Sequence, residues 1–237
     1  MKTLILTTAA LALAAGVAVA DTVRMGTEGA YAPYNFINDK GEVDGFEREL
    51  GDELCKRADL TCEWVTNEWD SIIPNLVSGN YDTIIAGMSI TDERKEKIDF
   101  TQNYTQPDPS AYVALSMDVD LAGSVIAAQA NTIQASFIAA QGWQLVEFSN
   151  ADEALAAVMN GEADAVLADK ASLLDQVASN DQLMFLEREE LIGDGIGMGI
   201  RKSDSALRDK FDTAIQSMKD DGTLNALITK WEIGETF

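Results

Sequence analysis

The sequence predicts an α/β protein built as two similar lobes. Two observations carry this expectation. Strand-like and helix-like segments alternate along most of the chain, a pattern that gives largely parallel sheets. In addition, Leu76-x-x-Gly79-x-x-Asp82-x-Ile84-x-Ala86-Gly87 returns as Val158-x-x-Gly161-x-x-Asp164-x-Val166-x-Ala168-Asp169, each pair 82 residues apart. Both phrases read as helix, glycine stop, turn, buried strand, then a small or polar residue at the strand's carboxyl end. Helix–Gly–strand is common in α/β proteins, so the length of the match carries the two-lobe reading. Ligands in open α/β sheets sit outside the carboxyl ends of strands. Gly87 and Asp169 would then face one another across a cleft.

The chain opens with Lys2, an apolar stretch from Leu4 to Val19, and Ala18-Val19-Ala20 before Asp21. Residues 1–20 therefore read as a secretory signal peptide. A membrane helix is the competing reading, but the stretch is short, rich in Ala and followed by acid. No Cys follows the cleavage point, so a lipid anchor there is excluded. A periplasmic, soluble mature chain is expected. Export places Cys55 and Cys62 in an oxidising compartment, where an even count suggests a disulfide. Their spacing is not C-x-x-C, which favours a structural staple over a redox pair.

Val23 to Thr27 reads as a strand. Phe46, Leu50, Leu54 and Ala58 recur at steps of four, one apolar helix face. The disulfide would tie the end of that helix to the next strand, Cys62-Glu63-Trp64-Val65. Asp70 or Ser71 caps a helix bearing Ile72, Ile73, Leu76 and Val77, and Pro74 is tolerated in its first turn. Gly79 ends it, and Tyr81–Ala86 reads as a buried strand. Later, Ser124–Ala128 forms a strand before a helix from Ile133 to Ala140, with Asn131 and Gln134 resembling a capping box. Two final helices carry Leu207, Phe211, Ile215 and Met218, then Leu224, Leu227, Ile228 and Trp231.

The chain has no His and two Cys in 237 residues, and 46% of it is apolar. A Ser-His-Asp triad, a Cys-His nucleophile, an imidazole metal site and a zinc finger are all excluded. No metal and no cofactor are expected. Against 17 Lys+Arg stand 40 Asp+Glu, a formal charge of −23. Such a chain repels nucleic acid and anionic membrane surfaces.

Thr91 reads as an N-cap with Arg94 in the first turn. A cation is unfavourable there. Arg94 either takes an anion, such as a carboxylate held bidentately with Ser89 assisting, or pairs with Asp92, Glu93 or Glu96 on the surface. Asp169 is either a solvated acid or the acceptor of an ammonium. Tyr31 and Trp69, in loops past strands, are either core or the walls around an organic cation or aliphatic chain. Glu28 adds a negative group near Tyr31. One basic group on one lobe and one acid on the other suit a zwitterion, which points to an α-amino acid.

Five stretches, Thr27–Tyr34, Gly45–Gly51, Trp69–Pro74, Gly87–Arg94 and Gly195–Lys202, resemble the polar amino-acid family of periplasmic solute-binding proteins, the receptors of ABC importers. The likeness covers nearly the whole mature chain. The Cys55/Cys62 pair looks like the disulfide of the lysine/arginine/ornithine- and histidine-binding branch. The Thr-Glu-Gly start looks more like the opine-binding branch. The resemblance implies a type II periplasmic-binding-protein fold, with residues 21–112 and 198–237 in one lobe and 113–197 in the other. A two-strand hinge near Ala111–Leu115 and Gly197–Arg201 would join them.

Carried over by position, Arg94 holds an α-carboxylate, helped by the Ser89 amide and Thr132. Asp169 holds the α-ammonium, with the Gly87 carbonyl as second acceptor. Tyr31 and Trp69 stack on the ligand side chain, and Glu28 meets a distal cation. Ala86-Gly87 stands where the basic-amino-acid receptors tend to have two serines, and Ala130-Asn131-Thr132 replaces their Gly-Ser-Thr. These departures bear on side-chain specificity. The implied function is capture of a basic amino acid or an arginine-derived opine by a monomer that serves an inner-membrane ABC permease. The alternative is an enzyme on the same fold, a cyclohexadienyl- or arogenate-type dehydratase, with Glu28 or Asp169 as the general acid it needs.

Overall fold

Strand β1 (Val23–Thr27) is an inner strand of the first sheet and is buried along nearly its whole length. The structure is a computed structural model describing residues 22–237, so the signal peptide read at 1–20 lies outside the described residues. Three short antiparallel strands follow, β2 (Ala30–Tyr31), β3 (Asn35–Ile37) and β4 (Val43–Asp44). Helix α1 (Phe46–Arg57) starts from Gly45, at a φ of 115°. A Cβ there would lie 2.6 Å from the Tyr34 carbonyl oxygen, so only glycine fits. Glu47 and Glu49 in the first turn and Lys56 and Arg57 in the last match the helix dipole. Leu50 and Leu54 enter the core. The Cys55–Cys62 disulfide fastens the helix end to β5 (Cys62–Thr66), as the sequence suggested.

A 3-10 turn at Trp69–Ser71 leads into α2 (Ile72–Val77). Strand β6 (Thr83–Ile84) is shorter than the expected Tyr81–Ala86; the chain leaves the ladder toward Gly87, at a φ of 60°. Helix α3 (Asp92–Lys97) is capped by Thr91, whose hydroxyl accepts from the Arg94 N–H, and β7 (Asp99–Phe100) closes the edge.

The second sheet and its helices comprise β8 (Ser110–Ala114), β9 (Val125–Gln129), α4 (Ile133–Gln141), β10 (Gln144–Phe148), α5 (Ala151–Met159), β11 (Ala165–Asp169), α6 (Lys170–Ser179) and β12 (Met184–Glu190). The cap of α4 departs from expectation. Thr132 is the N-cap, accepting from the Ala135 N–H, while Asn131 precedes it in the left-handed region at a φ of 57°. The chain then returns through β13 (Gly199–Ile200) to the first sheet and ends in α7 (Ser205–Asp220) and α8 (Thr223–Trp231), which pack on α1. Among the described residues no helix is long and apolar enough to cross a membrane.

Both sheets follow one plan, in the orders β5-β1-β6-β13-β7 and β10-β9-β11-β8-β12. In each, one strand runs against the other four: β13 in the first and β8 in the second. The reversed strand is the one the chain reaches by crossing from the other sheet. The sequence repeat is therefore structural. The Asp82 carboxylate accepts from the Arg24 N–H at 3.0 Å, and the Asp164 carboxylate accepts from the Val125 N–H at 2.8 Å. Each ties the turn after a helix to the start of the central strand. Gly79 and Gly161 both take the left-handed φ that ends those helices, at 81° and 76°.

The two crossings lie side by side. The N–H groups of Thr101 and Tyr104 donate to the carbonyls of Met198 and Ile196. Gly195 sits here at a φ of 87°, where a Cβ would be 2.5 Å from the Thr105 carbonyl oxygen.

Closing so short a loop, the Cys55–Cys62 bond is worth about 2.5 kcal/mol. The Cys55→Ala/Cys62→Ala variant should lose about that much in a urea titration while keeping its far-UV spectrum.

Candidate ligand-binding site

The carboxyl ends of β1, β6, β9 and β11 converge on a narrow cavity between the sheets. Glu28, Tyr31, Trp69, Ala86, Gly87, Ser89 and Arg94 line it from the first lobe, and Thr132 and Asp169 from the second. Of the residues singled out in the sequence, Asn131 alone has no place on its wall. Its side chain turns to the rim and donates to Asp70 Oδ1 at 2.8 Å. Only its backbone carbonyl faces inward, accepting from Arg94 Nη2 at 3.1 Å.

Arg94 is placed by the Thr91 cap. Its Nη1 donates to the Ser89 carbonyl at 2.8 Å, and its guanidinium lies over the Trp69 ring at 5.3 Å. The surface alternative does not hold: Asp92 pairs with Lys95 and Glu93 with Lys97. The other six arginines among the described residues each pair with a carboxylate, and Arg94 does not. Burial pushes its pKa down to about 10. A half-buried guanidinium that donates to carbonyls and pairs with no carboxylate is primed for an anion. Ser89 is oriented to help. The neighbouring ladder bonds run from the Ile90 N–H to the Gly195 carbonyl and from the Gly197 N–H to the Met88 carbonyl. The Ser89 N–H therefore points away from that strand.

Two carboxyls share the cavity, Asp169 from the second lobe and Glu28 from the first. Asp169 ends β11 without capping α6. It accepts from the Tyr31 hydroxyl at 2.7 Å and from Gln134 Nε2 at 2.9 Å. Burial pushes its pKa up, while these donors and the Arg94 charge oppose the rise. Glu28 accepts from Gln129 Nε2 at 2.7 Å, and burial pushes its carboxyl up to about 7. Neither acid has a cationic side chain against it. The aromatics are already packed: Tyr31 stacks on Tyr34 at 5.5 Å, and Trp69 covers Arg94. The Thr132 hydroxyl is engaged in capping and donates to the Gln129 carbonyl at 2.7 Å.

Sequence reasoning passed over Gln129, Ile133 and Gln134, which also line the wall. Gln129 carried a legible signal: it is the polar end of an apolar strand, as Asp169 is. Gln134 carried none, since the capping-box reading sent its side chain outward. It points inward and donates to both Ser110 and Asp169.

A guanidinium without a carboxylate, sharing a cleft with two carboxyls without cations, one on its own lobe and one on the other, is the arrangement of a receptor for a charged small molecule. Residues 23–235 match the bacterial extracellular solute-binding proteins, family 3. The chain belongs to that family. The histidine-binding periplasmic protein of Escherichia coli (strain K12) is 32% identical over 236 residues, covering 93% of this chain and 91% of that protein. The lysine/arginine/ornithine-binding periplasmic protein of the same strain is also 32% identical, covering 90% and 88%. A periplasmic His/Glu/Gln/Arg/opine family-binding protein from Silicibacter pomeroyi, solved in complex with lysine, superposes with a TM-score of 0.87 at 68% identity, covering 88% of this chain and 96% of that one. Each is named as a binding protein, which supports a receptor over the dehydratase alternative.

Glu28 has an ordinary value of 4.5 and a folded value near 7, so the folded state holds the extra proton between them. Stability then falls as pH rises through that window. In thermal melts without added ligand, Glu28→Gln should lose less Tm than wild type from about pH 5 to about pH 8. Identical profiles would remove Glu28 as a buried titrating group.

Proposed function

We propose that this protein is a periplasmic receptor that closes on a basic α-amino acid and delivers it to an inner-membrane ABC permease. One observation carries the reading: the cavity brings a single guanidinium and two carboxyls together with no ion partner among them. A lysine- or arginine-like molecule supplies the missing set, one carboxylate and two cations. Arg94 and the Ser89 N–H take the α-carboxylate. Asp169 takes the α-ammonium, with the Gly87 carbonyl beside it. Glu28 and Gln129 take the distal cation, between Tyr31 and Trp69. The adjoining hollow is walled partly by Ala30, Ala32 and Ala154, small side chains on the way out from the site. It has no cationic lining, so an opine's extra carboxylate finds less support there than a second cation.

The lobes of this receptor follow the two sheets, so the boundaries expected at 112/113 and 197/198 move to either side of 110–195, ahead of β8 and ahead of Ile196, and the chain works as a monomer exported by the segment 1–20. The hinge is best supported in the paired crossings, around Pro107–Pro109 and Gly193–Gly195, since β8 pairs wholly within the second sheet. Closure is driven by contacts that exist only when the lobes meet.

Calorimetry should find micromolar or tighter binding of lysine or arginine, and Arg94→Ala should weaken it by about a hundredfold or more at unchanged Tm. Retained binding in the variant would remove Arg94 from the site. A response only to aliphatic or acidic amino acids would refute the basic specificity.

A further inference from the structure

Glu47 lies on α1 with no solvent exposure, and the binding chemistry above does not use it. Its Oε1 accepts from the Gly87 N–H at 2.7 Å and from the Tyr104 hydroxyl. Its Oε2 accepts from Asn35 Nδ2 at 2.7 Å. Asn35, also fully buried, continues the chain: its Oδ1 accepts from the Gly29 N–H at 2.7 Å. Gly87 lines the cavity and Gly29 follows Glu28, so both ends of the chain are at the site. Tyr104 joins it to one of the two crossings between the lobes.

A backbone N–H cannot exchange donor for acceptor. A side-chain amide offers a donor on one side and an acceptor on the other, whereas a carboxylate offers only acceptors. Among side-chain amides and ionised carboxylates, two can bridge two fixed donors only if one is an amide and the other a carboxylate. Two amides leave two donors facing each other, however they are flipped. Two carboxylates leave two acceptors facing each other. We propose that Asn35 and Glu47 form a matched relay that sets the direction of the Gly29 and Gly87 N–H groups, and so places Glu28 and the Gly87 wall around the ligand. Glu47 is a positioning residue, and the pairing matters more than which partner holds the carboxylate.

This role builds on the cavity being the ligand site, so the test includes a readout that needs no ligand. In the mature chain, lysine affinity is measured by calorimetry and amide exchange at Gly29 and Gly87 by NMR without lysine. Glu47→Gln and Asn35→Asp should each weaken lysine roughly ten- to a hundredfold and speed exchange at one or both glycines. The double variant Asn35→Asp/Glu47→Gln restores one amide and one carboxylate. It should return both readouts to within about threefold of wild type. A double variant as impaired as the two singles combined overturns the relay, as does a single variant with both readouts unchanged. If wild type fails to bind lysine, the ligand reading falls and the exchange cycle still decides the relay. If a single variant does not fold, recovery of a cooperative melt in the double variant supports the relay, and failure to recover overturns it.

Discussion

Charge held in one cavity without an ion partner is the constraint around which this molecule is arranged. Removing a guanidinium or a carboxylate from water is costly unless a matched group meets it. Arg94, Asp169 and Glu28 are met by neutral groups of the right polarity. Two carbonyls accept from the guanidinium, a phenol and an amide donate to Asp169, and an amide donates to Glu28. An opposite charge adds Coulomb attraction that these neutral partners lack, and the addition is larger away from bulk water. A ligand with the complementary charges therefore gains by exchange, and the protein's own groups keep the site folded and dry in the meantime.

The two-sheet plan explains how those groups come to face each other. Each lobe repeats helix, glycine, turn and strand, with Asp82 and Asp164 fixing equivalent turns to the central strands. Equivalent strand ends then present Gly87 from one lobe and Asp169 from the other. The bonds that join the lobes come largely from the site itself: Tyr31 to Asp169, Glu28 to Gln129 and Asp70 to Asn131. Closure and recognition share the same atoms, so a ligand that strengthens these contacts also shifts the lobes toward the closed form.

Much of this was legible in the sequence where the signal is local. Steps of four exposed the face of α1, the repeat exposed the second lobe, and a cap next to an unfavourable cation exposed Arg94. Errors arose where two local choices are nearly equal or where distant partners decide. Asn and Thr are both good caps, and tertiary contacts settled the matter by using the Asn131 carbonyl for Arg94. Tyr31 and Trp69 line the cavity, yet the rings rest on Tyr34 and Arg94, pairings no spacing rule predicts. Glu47 stands on a core face, three residues before Leu50, and its partners come from positions 35, 87 and 104.

The global charge and the local site make opposite demands, and together they narrow what the cavity accepts. Arg94 attracts an anion, but a formal charge of −23 repels a free anion before it arrives. Salt weakens that field over about 10 Å, so it acts mainly at the mouth of the cleft. A carboxylate reaches Arg94 most readily when it travels on a molecule whose cations match or exceed it. Under the proposed function, Asp169 and Glu28 would then receive those cations inside, where screening is weaker. On that reading, exclusion of acidic amino acids comes from the surface and the site acting in sequence, and neither alone would give it.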